Sequence, residues 1–341
     1  MNNIKPPAIT ASGTESIEKL FGDFSFSRIT DDIVSGKFSP DPQGVLNRII
    51  RIFMGELSQS FVLMGALASL LVMCAFLENL QSSFENKSTS AAVNYALFVY
   101  LAAINAAAFE KACAYVSTTV RDITVLMQGI IPAMALAGAS GGSVYAGAIH
   151  PLIFFICSVF AALIKNVITP LVLLRAAASL LGGISRGGAM GEFADIFSKL
   201  HKTLLAFTMS IFAGVLTVGR FAAASFDSLY ARGIKFAITS AVPVVGGSIS
   251  EAMSTVAGSA LALKSAVGIA GVVMLFAVFF VPMIKLGALC AVYRITAAIA
   301  APVTDKRVIS AIKTTGECVD MLFTSIACMG IIMVIAIASI I

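Results

Sequence analysis

Tryptophan is absent from this 341-residue chain, histidine occurs twice, and Asp, Glu, Lys and Arg together make up only 12%. Soluble domains carry about 25% charged residues, so composition argues against a water-soluble fold. His150 and His201 stand apart from each other and from any cysteine, which leaves no metal-ligand spacing. The six cysteines sit singly in apolar surroundings without a CxxC pair. They read as small packing residues, not as a disulfide framework. HExxH, GxSxG and GxxxxGK[ST] are missing, as is an intramembrane pair of carboxylates. Neither an enzyme nor a cofactor is expected. No Lys/Arg cluster marks a nucleic-acid surface, and the formal charge of +5 is spread along the chain. Without tryptophan, any aromatic belt at a membrane interface rests on the six tyrosines and some phenylalanines.

What is present is apolar length. Hydrophobic residues make up 58%, and residues 57–77, 88–109, 123–164, 203–219, 265–284 and 321–341 contain no Asp, Glu, Lys or Arg. A spanning helix needs roughly 20 mostly apolar residues. The expected architecture is all-α, a polytopic integral membrane protein of about eight transmembrane helices: 57–77, 91–109, 144–164, 167–181, 203–219, 266–281, 283–301 and 321–341. Residues 1–56 form a polar N-terminal region whose last part, from Gln43, has helical spacing at Val45, Leu46, Ile49, Ile50, Phe53 and Leu57. It lacks a basic start followed by an apolar core, so no signal peptide is expected. Basic residues divide evenly between the two sides of this arrangement, which leaves orientation open.

Two further segments, 123–142 and 234–263, are rich in Gly, Ala and Ser and are expected to re-enter the membrane or lie at its interface. Pro243 removes a backbone donor, Gly246 and Gly247 loosen the chain behind it, and serines, Glu251 and Lys264 follow. Broken backbone at membrane depth is tolerated only where protein or water covers it. The segment therefore reads either as the lining of a path or as an interfacial amphipathic helix with a capped start. Pro132 occupies the matching place in 123–142. Arg121 precedes Pro132 by the same 11 residues that separate Arg232 from Pro243, and Pro170 and Pro282 lie at nearly the same offset. This spacing points to structural repeats over 91–184 and 203–301, inverted if each holds three spans.

A few charges need an account. Arg175 stands well inside an apolar segment, where insertion costs about 2.5–3.5 kcal/mol. It either faces the bundle interior and meets a partner or snorkels to the interface. Lys285 and Arg294 frame the apolar stretch 286–293, and interface anchoring is the alternative reading of each. Glu192, Asp195, Lys199 and Lys202 have the spacing of a solvated helix. The candidate pathway or gating residues are thus Pro132, Arg175, Pro243, Gly246, Gly247, Glu251, Lys264, Lys285 and Arg294.

The stretch Val242-Pro-Val-Val-Gly-Gly-Ser-Ile-Ser-Glu-Ala-Met-Ser-Thr-Val-Ala-Gly258, continued by Leu263-Lys-Ser-Ala-Val-Gly-Ile-Ala-Gly271, resembles stage III sporulation protein AE. The likeness extends through Pro282-Met-Ile-Lys285, Tyr293-Arg294 and Ala301-Pro-Val-Thr-Asp305, and upstream to Gly36. The resemblance implies a subunit of the complex that joins mother cell and forespore during endospore formation. It places the protein in the mother-cell membrane around the forespore. Its implied partners are the other stage III sporulation membrane proteins and, across the intermembrane space, a forespore membrane protein. Such a complex acts as a channel or secretion apparatus, and this family is a candidate pore or export component without catalytic residues. Many members begin with a cleavable signal sequence, so the side of residues 1–56 stays open. Two alternatives differ in kind: a stand-alone secondary transporter of a small solute, and a purely structural membrane scaffold.

Overall fold

The computed structural model describes residues 42–81, 87–140, 144–184, 189–241, 246–302 and 306–340. All regular structure among them is helical. The helices are α1 (Pro42–Gln81), α2 (Lys87–Ser140), α3 (Val144–Leu163), α4 (Thr169–Ile184), α5 (Ala189–Ala241), α6 (Gly246–Ala300) and α7 (Lys306–Ile340), with a π-helical segment, Ile164–Ile168, joining α3 to α4. Among the described residues, six stretches are long and apolar enough to cross a membrane: Asn47–Met73, Tyr95–Ala135, Pro151–Leu180, Glu192–Val218, Ser265–Ala300 and Val308–Ser339.

The expected eight spans become six because two pairs are continuous helices. Residues 144–164 and 167–181 join through the π segment, and 266–281 and 283–301 are both part of α6. Pro170 supplies the reason for the first join. It has no N–H for the carbonyl four residues back, and its ring crowds that carbonyl. One widened turn absorbs the misfit: the Thr169 N–H and hydroxyl both donate to the Ile164 carbonyl, five residues back, the hydroxyl at 2.9 Å. The second join carries Pro282 inside α6, where the helix continues past it.

Segment 123–142 differs most from expectation. Pro132 lies within α2 and does not end it. Ile123, Leu126, Met127, Ile130, Ile131 and Met134 recur at helical spacing and are at most 2% exposed. This is a core-facing stripe, not a re-entrant loop. The amphipathic stretch from Gln43 likewise runs without interruption into the first apolar stretch as α1. Residues 242–245, with Pro243, lie outside the described residues, and the chain is helical on both sides of them. The helix ends at Ser140 and Ala241 are 101 residues apart, whereas the matched prolines are 111 apart. Pro132 therefore sits within a helix and Pro243 between two.

α6 and α7 form the centre. In the most apolar 18-residue window of each, 67% and 56% of residues are buried, against 17% in the windows of α1 and α5. Two glycines of α7 let them approach. A Cβ on Gly330 would stand 2.6 Å from the Phe279 ring, and one on Gly316 would stand 2.9 Å from the Tyr293 Cβ. These pairings make α6 and α7 antiparallel. Phe279 has little room to give, because it meets Phe276 edge-on at 5.5 Å while Phe276 stacks on Phe280 at 4.7 Å. Small residues at a helix contact are the usual means of close packing in membranes, where solvent exclusion does not drive helices together.

Candidate functional site

Arg175 is one of two buried charged residues among those described, 5% exposed; the other, Asp122 on α2, is 2% exposed. Arg175 follows the π segment on α4 and points at α7. One guanidinium N–H donates to Glu317 Oε2 at 2.6 Å, and another donates to Cys318 Sγ at 3.3 Å. Its Nε–H has no partner. The pair is lopsided, since the Glu317 side chain is 45% exposed. Of the two readings of Arg175, the interior one with a carboxylate partner is the one observed.

α5 supplies the third side. His201 is 2% exposed, and its Nε2 lies 2.9 Å from Ser325 Oγ on α7. The Ser325 hydroxyl proton is already given to the Met321 carbonyl at 2.8 Å. Nε2–H must therefore be the donor to Ser325 Oγ, and the lone pair of the neutral ring is on Nδ1. Nδ1 has no partner and is buried. A cavity of about 420 Å³ opens between α4, α5 and α7, lined at one end by Arg175, His201, Lys202, Glu317 and Asp320. Leu205, Met209 and Cys328 line its other end. Two cations, two carboxylates and one imidazole thus meet in helices of membrane-spanning length. Such groups are costly in a bilayer unless they face a bundle interior or a water-filled space.

The other candidates fall in different places. Arg294 pairs with Asp320, one of the cavity's carboxylates, but its own side chain is 72% exposed. Lys285 is 3.7 Å from Glu56 of α1 and 5.1 Å over the Tyr115 ring, in a separate cavity. Pro132 is exposed on α2. Gly246, Gly247, Glu251 and Lys264 lie in the first part of α6, and their side chains are outside the described residues, as is Pro243 altogether. Glu317, Asp320 and His201 were not among the candidates. Glu317 and Asp320 immediately precede the charge-free run 321–341, so a search for uncharged runs places them outside the helix that they belong to. His201 carried no signal beyond being a histidine beside an apolar run. Among the described residues, no group of three or more His, Cys, Asp or Glu could hold a metal ion. Cys113, Cys157, Cys290, Cys318 and Cys328 are free thiols, and Cys157, Cys290 and Cys318 are buried.

The family described as stage III sporulation protein AE matches residues 24–341. Stage III sporulation protein AE of Bacillus subtilis (strain 168) is 28% identical over 311 residues, which cover 91% of this chain and 78% of that protein. No solved structure matches the chain.

Proposed function

Because this chain belongs to the stage III sporulation protein AE family, and so to the proteins of sporulation, we propose that it is a pore or export component of a channel or secretion complex between mother cell and forespore. Its place is the mother-cell membrane around the forespore. Its partners are other stage III sporulation membrane proteins and a forespore membrane protein across the intermembrane space. The observation that carries the reading is the Arg175–Glu317 pair at a polar cavity between α4, α5 and α7. A plain anchor has no use for a buried guanidinium. A path for polar cargo or ions does.

The cavity supplies fixed charge of both signs and an imidazole with an uncommitted Nδ1, but no group arranged as a nucleophile with its base. Binding and passage fit this set better than covalent chemistry. Glu251 and Lys264, in the first part of α6, are further polar contacts of the proposed path.

The test replaces Arg175 by Met in a spore-forming host and compares heat-resistant spore yield with membrane protein level. Met fills the volume without the charge. We expect normal protein level, engulfment completed, and a clear loss of heat-resistant spores. Normal spore yield would make Arg175 a packing residue and leave the protein as a scaffold.

A further inference from the structure

A second cavity, of about 290 Å³, lies between α1, α2 and α6. Its lining changes character along its length. Glu56, Gln59, Ser60, Lys111, Tyr115 and Lys285 stand at one end. Leu63, Ile104 and Leu289 stand at the other. On α1 and α6 the polar positions come before the leucines. On α2 they come after Ile104, and α2 runs antiparallel to α6, as the contacts of Tyr115 with Lys285 and of Ile130 with Gly271 require. All three helices therefore agree on which end is polar.

The polar end is under-occupied. Lys111 and Lys285 face Glu56 as the lone carboxylate of the lining, an excess of one positive charge. At 3.7 Å, the Lys285–Glu56 pair is too long for a hydrogen bond. Gln59, Ser60 and Lys111 make no side-chain hydrogen bond or ion pair among the described residues. Two ammonium groups, an amide and a hydroxyl thus converge with donors to spare. Beside the apolar end, Phe61 and Val62 of α1 are exposed, 46% and 78%.

We propose that this cavity binds an anionic phospholipid. Its phosphate sits between Lys111 and Lys285 and accepts from Gln59 and Ser60, and an acyl chain lies along Leu63, Ile104 and Leu289. Charged donors on a phosphate oxygen form the stronger class of hydrogen bond, and an acyl chain suits an apolar half that water would not fill. Free phosphate shares the headgroup chemistry but leaves that half empty. The site contains neither Arg175 nor Glu317, so it stands or falls apart from the export reading.

Native mass spectrometry of the purified full-length protein in detergent tests this, with phosphatidylglycerol and phosphatidylcholine of matched chains as probes. Both lipids carry the phosphate, but the choline ammonium of phosphatidylcholine meets the excess positive charge of the lining, so phosphatidylglycerol should be retained about tenfold better. Lys111→Gln should remove the preference and Lys111→Arg should keep it. Ala107→Phe, at an exposed lining position of α2, should lower retention of both lipids. Inorganic phosphate should leave lipid retention unchanged. Equal retention of the two lipids, or a preference that survives Lys111→Gln, overturns the proposal. Displacement of the lipid by inorganic phosphate overturns it too, and assigns the cavity to a free anion.

Discussion

Removing one member of the Arg175–Glu317 pair is not equivalent to removing the other. Arg175 is buried and Glu317 is nearly half exposed, so Arg175→Met leaves a carboxylate that water can reach. Glu317→Leu leaves a guanidinium inside the bundle with one weak sulfur acceptor. Breaking a buried pair so that a charge is left uncompensated costs about 3–5 kcal/mol, whereas an apolar replacement of matching volume is often neutral. Because one partner here is half exposed, the low end of that range applies. Glu317→Leu should therefore lower the thermal unfolding temperature in detergent clearly more than Arg175→Met does. An equal or reversed order would show that Arg175 is not held by Glu317. Ser325→Ala is a second check at this scale. It strips the acceptor from His201 Nε2–H in a buried place, at a cost of about 1–3 kcal/mol. Ser325→Thr, which keeps the hydroxyl, should restore most of the stability lost, as read by the same melting measurement.

Among the elements, the α6–α7 contact is the most exacting. Gly330 faces a ring that its neighbours hold in place, so Gly330→Val forces side-chain or backbone shifts worth about 1–3 kcal/mol. Gly287 is the control. A Cβ there meets only Phe323 at 3.7 Å, an ordinary contact, so Gly287→Ala should melt at or above the parent temperature. Equal losses at both sites would contradict the packing described. This contact was not legible beforehand, because glycine in an apolar run reads the same whether it faces lipid or a ring. Helix content itself was legible, and so was the first apolar stretch. The number of crossings was not, because Lys165, Pro170 and Pro282 look like breaks while the helix runs through them. A side chain that reaches the surface, as the exposed Lys165 does, and one π turn are enough to keep the backbone continuous. Pro132 misled for a related reason. A proline predicts a lost hydrogen bond, but the core stripe around it decides that the helix persists.

At the scale of the molecule, the site joins helices far apart in the chain, with Arg175 on α4, His201 on α5 and Glu317 on α7. Arg175 was identifiable alone, as a charge in an apolar setting. Its partner was not, since nothing in the spacing of 175 and 317 announces that α4 and α7 meet. We propose that this meeting makes a water-accessible path within a sporulation complex. Ala206 is exposed on α5 and lines the cavity, which makes it the position to probe. The decisive measurement is labelling of Ala206→Cys by a membrane-impermeant thiol reagent in sealed membrane vesicles of both orientations, in a protein whose own cysteines have been replaced by serine. Labelling is expected when the protein is made alone, and protection once the other subunits are present. No labelling from either side of the membrane, with spores still formed, would contradict the proposal and leave the cavity as dry packing.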